Sequence, residues 1–459
     1  MVFGISRSLS VADRDGQWCC AAYAAAPVVL KATGAGIAAT GLAGILAAHR
    51  APVFAQANTL HILRWNDFVP AADKVLREVF APEVQKALGL KLNVETVNAN
   101  DLPARATAAI QSGNGADIIM LLNNLPHLYA AAAVDVTAVA EEVAKAGGGV
   151  YDPARQLNMV GGRWVSMPWS VVPALIAYRK SWFDEVGAKE FPKTWQQYHE
   201  VGKKLKAAKR PIGQTLGNTF GDAPTFTYPL LWSFGGQEVD PKGKVVLDSK
   251  ETVESVRFMT QFWKDSHDEG GLAWDDSNNN RSFLSGDISA TLNGASIYVA
   301  ALNGADKFKT EKGAPLHTDI LHAPLPAGPK GQHAYHTAFN HMVMKYSKNA
   351  KGATEFLRWA HTKANYDKWF VVQKGFATGP TREWEQHSMW NQDKVMLPFK
   401  SAAQQQSRLM GFGGQPDKKA AEAWNKYIVT VMYANAASGK MRPEDAVKWA
   451  AGELGKIYT

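Results

Sequence analysis

Residues 59–122 alternate strand and helix patterns, and this order constrains the fold more than any other feature of the chain. The alternating patterns lie at 59–65, 71–89, 90–97, 101–113 and 116–122. A β-α-β-α-β order is typical of a parallel sheet with helices on its faces, so we predict an α/β chain. Asp101 is predicted as the N-cap of the second helix.

Polar residues directly follow two of these strand patterns. Trp65, Asn66 and Asp67 end the first strand, and Asn123 and Asn124 end the third. Because ligands of open α/β sheets bind beyond the carboxyl ends of the strands, we predict that these five residues contact a ligand. The alternatives are a capped turn after the first strand and helix N-capping after the third.

The first 57 residues have the pattern of a signal peptide. Residues 32–48 are uncharged, rich in Ala and Gly, and follow a region with several basic residues. Ala55-Gln56-Ala57 then matches the A-x-A pattern of a cleavage site. A membrane anchor is disfavoured because the run is short of ~20 strongly apolar residues. We predict export to the periplasm by the Sec or twin-arginine route, with cleavage near Ala57.

Cysteine usage and charge exclude several classes of function. The only two cysteines are Cys19 and Cys20, inside the predicted signal peptide, so the mature chain has no thiol nucleophile and no Cys-ligated metal. The net charge of +8 is spread without a long basic tract, which argues against a nucleic-acid partner. The 15 tryptophans suit both a large core and a carbohydrate-binding cleft.

Motifs for catalysis or for metal and cofactor binding are weak. The histidines of "HAYHTAFNH" (333–341) have no acidic residue nearby to complete a metal site. "GQTLGNTFGD" (213–222) lacks the Gly-Lys-Ser/Thr of a phosphate loop. Asp275 and Asp276 are adjacent, so their side chains diverge and do not suggest a paired acid–base site. We predict no catalytic residue, no metal and no cofactor.

The order of four further stretches resembles a known family. These stretches are "YRKSWFDEVGAKEFPKTW" (178–195), "FLSGDISATLNGASIY" (283–298), "GATEFLRWAHTKANYDKWFVVQKGFATGP" (352–380) and "NAASGKMRPEDAVKWA" (435–450). Together they resemble the bacterial extracellular solute-binding proteins of family 1, and the last stretch is similar to the C-terminus of maltose-binding proteins. The resemblance spans residues 58–459.

This resemblance implies a two-lobed α/β fold of the type II periplasmic binding protein, or Venus-flytrap, kind. Such a fold has mixed, mostly parallel sheets flanked by helices, with several hinge crossovers. Lobe 1 would comprise 58–167 plus 330–371, and lobe 2 would comprise 168–329 plus 372–459. The implied protein is not an enzyme. It is a monomeric binding component of an ABC importer that captures a small solute and delivers it to the transmembrane permease subunits.

The resemblance also implies the site residues. In the family, the strand that here ends at Asn293 and Gly294 reaches the ligand cleft. Sugar-binding relatives often place Trp after that Gly, where this chain has Ala295. Phe226 and Tyr228 are expected at a helix start, and His341 at a strand start. The complete predicted set is Trp65, Asn66, Asp67, Asn123, Asn124, Trp169, Phe226, Tyr228, Asn280, Arg281, Asn293, Gly294, His341, Phe376, Arg408 and Phe412.

Amide and aromatic side chains dominate this set, which favours a neutral carbohydrate or polyol as the solute. A polyol phosphate, a polyamine or a peptide bound by the same fold is the alternative. Phosphate binding would need Arg and helix N-termini, and a polyamine would need several acids. A secreted glycan hydrolase is the alternative from another class, and it would need two carboxylates about 5–10 Å apart in a cleft.

Overall fold

The computed structural model describes residues 58–401 and 408–459, so the predicted signal peptide and its cleavage site lie outside the described residues. The described residues belong to one unit, Phe54–Thr459. No helix within the described ranges combines the length and the apolar character that a membrane crossing requires.

The larger sheet has five strands in the order β2-β1-β3-β10-β6. These strands are β1 Thr59–Trp65, β2 Lys91–Val97, β3 Ile118–Leu122, β6 Met167–Val172 and β10 Thr337–Val343. β1 pairs in parallel with both β2 and β3, which confirms the β-α-β-α-β prediction. β10 returns to the sheet from far along the chain and pairs antiparallel with β3 and β6.

A smaller sheet of three strands, in the order β8-β7-β9, is wholly antiparallel. Its strands are β7 Leu175–Arg179, β8 Ala290–Asn293 and β9 Ile320–Ala323, and a separate hairpin joins β4 Met159–Val160 to β5 Arg163–Trp164. The predicted mixed α/β fold is confirmed. Parallel pairing is less extensive than predicted, because the only parallel ladders among the described strands join β1 to β2 and β1 to β3.

Helices cover both sheets. The α-helices are α1 Pro70–Lys74, α2 Ala81–Leu88, α3 Leu102–Ser112, α4 Leu125–Tyr129, α5 Thr137–Ala146, α6 Asp152–Asn158, α7 Lys180–Glu185, α8 Trp195–Ala207, α9 Asp222–Phe234, α10 Lys250–Ser266, α11 Asn278–Ser285, α12 Ser296–Asn303, α13 Ala350–Ala360, α14 Lys363–Phe370, α15 Lys418–Asn425, α16 Ile428–Ala437 and α17 Pro443–Tyr458. A π-helical turn, Val75–Phe80, joins α1 to α2.

Two helices with a capping residue type before them, α8 and α3, begin in different ways. Thr194 caps α8 in a reciprocal capping box with Gln197, as a Thr at that position favours. Asp101 was predicted to cap α3, but its side chain makes no capping hydrogen bond. The side chain of Asn98 instead accepts a hydrogen bond from the N–H of Asn100, so the chain already turns before Asp101.

Two predicted element starts are wrong, and both errors concern predicted site residues. His341 was expected at a strand start, but β10 begins at Thr337, so His341 lies within the strand between β3 and β6. Phe226 and Tyr228 were expected at a helix start, but α9 begins at Asp222, one turn earlier. In both cases the residues before the predicted start, polar ones included, are buried and continue the element.

Most of the tryptophans belong to the core. The fully buried ones include Trp164, Trp169, Trp195, Trp232, Trp263, Trp369 and Trp390. The ring of Trp169 contacts those of His341, His361, Tyr366 and Trp369 at centroid distances of 4.9–5.2 Å. The high tryptophan content therefore serves mainly to fill the core, and few of these rings are available to a ligand.

Candidate functional site

Two neighbouring cavities lie where β1 ends, and they have volumes of about 200 and 30 Å³. Four residues line both of them: Trp65, Phe68, Phe220 and Asp276. The larger cavity is further lined by Asn66, Asn98, Ala99, Asn100, Thr219, Asp275 and Ser277. The smaller cavity is further lined by Val172, Gly221, Asp222, Asn293, Gly294, Ser296, Thr337, Phe339 and Phe376. We call the two cavities together the β1 cleft.

Aromatic rings form one wall of the β1 cleft. The ring of Trp65 is perpendicular to those of Phe68 and Phe220, at centroid distances of 5.4 and 5.9 Å. It is nearly parallel to the ring of Phe376, at 6.1 Å. Phe339 lies 4.4 Å from Trp65 and supports it from within the sheet. Flat apolar faces of this kind suit the C–H faces of a small organic ligand.

Two buried carboxyl groups, on Asp222 and Asp276, form part of the opposite wall. Asp276 Oδ1 accepts a hydrogen bond from the N–H of Asp222 at 2.8 Å, and its Oδ2 accepts from the N–H of Gly221 at 3.0 Å and from Thr219 at 2.7 Å. Asp222 Oδ2 accepts from Asn279 at 2.6 Å. Burial raises the pKa of Asp276 to about 6. Burial, together with the charge of Asp276, raises the pKa of Asp222.

An amide network holds the end of β8 against the cleft. Asn293 Nδ2 donates to Asn280 Oδ1 at 2.7 Å, and Asn293 Oδ1 accepts from Ser296 at 2.9 Å. Asn280 Nδ2 in turn donates to Ser296 at 3.0 Å. These bonds fix the side chain of Asn293, which lines the cleft beside Gly294.

The side chain of Asn100, which follows β2, crosses the cleft to the start of α9. Its Oδ1 accepts a hydrogen bond from the N–H of Phe220 at 3.1 Å and from the hydroxyl of Tyr427 at 3.3 Å. Its Nδ2 donates to Thr219 at 3.4 Å. Asn124, which follows β3, donates to the carbonyl of Pro416 at 3.4 Å. The two sides of the cleft therefore touch, and the cleft is closed in this structure.

A third cavity, of about 170 Å³, is lined by Arg408 and Phe412 together with Pro153 and Gln156 of α6. The guanidinium of Arg408 lies over the ring of Phe412, at 3.8 Å from its centroid. Glu238 anchors this segment, since its Oε2 accepts hydrogen bonds from the N–H groups of Gly411 at 2.7 Å and of Phe412 at 3.2 Å. Burial raises the pKa of Glu238 to about 8.

A family model described as bacterial extracellular solute-binding protein matches residues 67–367. The chain belongs to this family. The matched range includes every residue that lines the β1 cleft other than Trp65, Asn66 and Phe376.

Individual relatives of this solute-binding protein agree with the family assignment. A probable ABC transporter-binding protein of Deinococcus radiodurans is 25% identical over 229 residues, which are 48% of this chain and 52% of the relative. The match thus spans about half the length of that curated relative.

Solved structures show the same fold. Maltose-bound MalE3 of T. maritima is 19% identical, with a TM-score of 0.71 over 87% of this chain and 100% of that chain. A solute-binding protein of Agrobacterium radiobacter K84 in complex with ribitol is 19% identical, with a TM-score of 0.70 over 87% of this chain and 98% of that chain. Both are two-lobed periplasmic binding proteins, so this solute-binding protein has that fold.

The structure brings part of the predicted site together. Trp65, Asn66, Asn293, Gly294 and Phe376 all line the β1 cleft, although they come from three separate parts of the chain. Arg408 and Phe412 line the third cavity instead. That these residues contact the solute stays a prediction.

Other predicted residues lie behind these surfaces. Asp67 is buried beneath the cleft, where its carboxylate accepts hydrogen bonds from Val69 and Gln373. Asn123 pairs with the main chain of Ala338 in β10. The predicted residues that line none of these three cavities are Asp67, Asn123, Asn124, Trp169, Phe226, Tyr228, Asn280, Arg281 and His341.

Sequence reasoning missed one side of the β1 cleft. Phe220 and Asp222 at the start of α9, and Asp276 before α11, line the cleft but were not predicted. The sequence shows Asp276 only beside Asp275, whereas in the structure it bonds the N–H of Asp222, 54 residues away. One local signal for this side of the cleft is "FGDAP", in which Gly221 directly precedes the acidic residue that begins α9.

Proposed function

We propose that this solute-binding protein is the periplasmic binding component of an ABC importer, and that it captures a carbohydrate or polyol between its two lobes. The observation that carries the proposal is the closed β1 cleft. It joins aromatic faces around Trp65 on one side to carboxyl groups and amides around Asp222 and Asn293 on the other. Its supply of flat apolar faces and convergent polar atoms suits a polyhydroxylated ligand.

Sugar-binding relatives often have a tryptophan after the glycine that corresponds to Gly294, where this chain has Ala295. Here Phe376 supplies an aromatic face instead. A Cβ atom on Gly294 would lie 3.0 Å from the Phe376 ring and 2.8 Å from Val172, so the ring packs closely on that glycine. Together with Trp65, Phe376 gives two nearly parallel rings at the cleft. In this proposal the two rings contact the C–H faces of the solute.

Binding and closure are coupled in this proposal. Lobe 1 (58–167 plus 330–371) and lobe 2 (168–329 plus 372–459) rotate about the crossovers, and a solute that touches both lobes stabilises the closed state. Asn100 and Phe220 then form their hydrogen bond across the cleft. The closed form is the state that the transmembrane permease subunits recognise, and the solute is released there without covalent chemistry.

Support for the solute class comes from the relatives, which include proteins solved with maltose and with ribitol. The test is a thermal-shift screen of the purified protein against mono- and disaccharides, polyols, polyol phosphates and polyamines. A ligand that binds only the folded state raises the melting temperature by mass action. We expect a rise with a sugar or polyol. A rise with polyol phosphates alone, or release of sugar from an added glycan, would contradict the proposal.

A further inference from the structure

The β1 cleft is lined by acidic groups without a basic partner. Asp222, Asp275 and Asp276 line it, while the described lining residues include no Lys, Arg or His. The buried acid directly beneath the cleft differs in this respect. Asp67, which lies beneath the cleft, has the guanidinium of Arg64 at 3.6 Å.

The two most buried of these acids are stabilised only by neutral donors. Asp276 accepts from two main-chain N–H groups and the Thr219 hydroxyl, and Asp222 accepts from the Asn279 amide. Within the described ranges, none of the ion pairs includes either carboxyl group. Since a buried carboxylate without a cationic partner is costly, a cationic ligand would stabilise the ionised form of these two acids.

The aromatic wall of the cleft also suits a cation. Phe68 and Phe220 stand perpendicular to Trp65, and Phe376 lies parallel to it, so ring faces and edges surround one small volume. A cation within about 6 Å of such ring faces is attracted by the ring quadrupoles. Trp65 is 4% exposed, so its ring is largely enclosed by the residues around the cleft.

We infer that the solute is polyhydroxylated and carries one cationic amine, which the carboxylates of Asp222 and Asp276 and the aromatic wall bind together. This inference rests on the proposed function and narrows its solute class. Asn98, Asn100 and Asn293 remain for the hydroxyl groups, because an amide both donates and accepts hydrogen bonds.

The experiment compares matched ligands that differ in one group. Calorimetric titrations of the purified protein at pH 7.5 would use D-glucosamine against D-glucose, and glucamine against sorbitol, with putrescine as an amine that has no hydroxyl groups. We expect the amine member of at least one pair to bind at least about tenfold tighter than its neutral partner, and putrescine to bind weakly or not at all.

Two variants test whether the carboxyl group in the cleft causes the preference for the amine. Asp222→Asn removes one ionisable carboxyl group but keeps an oxygen that can accept from Asn279, so we expect the amine preference to shrink to about threefold or less. Asp287→Asn makes the same charge change at an exposed position outside the cleft and should retain the preference.

The remaining outcomes would overturn either this inference alone or the proposed function as well. Equal or tighter binding of the neutral members would overturn this inference and leave the proposed function standing. An amine preference that survives in Asp222→Asn would also overturn it, because the cation would then bind elsewhere. The proposed function would also be overturned if putrescine alone bound. It would be overturned likewise if none of these compounds bound and no sugar or polyol raised the melting temperature in the thermal-shift screen.

Discussion

Asn100 and Phe220 are joined by a hydrogen bond across the β1 cleft, in which the N–H of Phe220 donates to Asn100 Oδ1 at 3.1 Å. Asn100 follows a strand of the five-stranded sheet, and Phe220 precedes α9, 120 residues further along the chain. The bond can exist only while the two sides of the cleft are together. It is therefore a direct indicator of the closed state.

The first prediction concerns this contact. Asn100→Ala removes the acceptor for Phe220 and Tyr427 and should destabilise the closed state by about 1–2 kcal/mol. Because closure is coupled to binding, solute affinity should fall roughly 5- to 30-fold. Titration calorimetry with the solute found in the screen measures this. Asn114→Ala, at an exposed loop position, should leave affinity unchanged. Equal affinity of Asn100→Ala and wild type would show that the contact plays no part in closure.

The second prediction concerns the buried Arg64. Its guanidinium lies 3.6 Å from Asp67 and 3.8 Å from Asp73, and none of its nitrogens has a hydrogen-bond partner among the described residues. Arg64→Met leaves two buried acids without a cation, so the free energy of unfolding should fall by about 3–5 kcal/mol. Urea denaturation measures the loss.

Two comparisons sharpen this experiment. Arg77→Met, at an exposed position, should change the free energy of unfolding by about 0.5 kcal/mol or less. Adding Asp67→Asn to Arg64→Met should restore part of the loss, because it removes one of the uncompensated charges. A loss below about 1 kcal/mol in Arg64→Met would argue that the ion-pair cluster contributes little.

The third prediction is a pH dependence of stability set by Glu238. Burial raises its pKa to about 8 in the folded protein, whereas an unfolded chain has a Glu pKa of about 4.3. The hydroxyls of Tyr228, Tyr335 and Tyr458 face this carboxyl group. The folded state thus holds a proton that the unfolded state releases. This contribution to stability is complete below pH of about 4 and is lost progressively as the pH rises towards 8.

Glu238→Gln should remove this dependence while keeping an oxygen to accept from Gly411 and Phe412. Urea denaturation at pH 5, 6.5 and 8 should show a flatter decline for the variant than for wild type, with the largest gain in stability at pH 8. Glu254→Gln, at an exposed position of α10, should decline as wild type does. Parallel declines in Glu238→Gln and wild type would contradict the assignment.

Much of the fold could be predicted because its signals are local. The strand predicted at 59–65 is observed as Thr59–Trp65, and the strand predicted at 90–97 as Lys91–Val97. Alternating or continuous apolar residues specify such strands within a few residues of sequence. The start of β10 was misplaced because Thr337 and Asn340 are polar but buried, which periodicity does not reveal.

The site was less predictable because its two walls come from distant segments. Trp65 and Asn66 could be found, since they follow a strand whose direction the local pattern indicates. Asp222 and Asp276 meet only after the chain has folded, and neither stands at a strand end. Burial in a strand does not by itself identify a site residue. Trp65 and Trp169 are both buried in strands, but only Trp65 lines the β1 cleft.

The central claim is that a solute binds in the β1 cleft against Trp65, and calorimetric titration of Trp65 variants tests it most directly. Trp65→Phe keeps an apolar ring but loses the indole N–H and part of the face, and Trp65→Ala loses the ring entirely. We predict one saturable site in the wild type, binding at least about tenfold weaker in both variants, and unchanged binding in the control Trp449→Ala on α17, with circular dichroism confirming that each variant is folded. Wild-type affinity in a folded Trp65→Ala would contradict the account, because the solute would then bind outside this cleft.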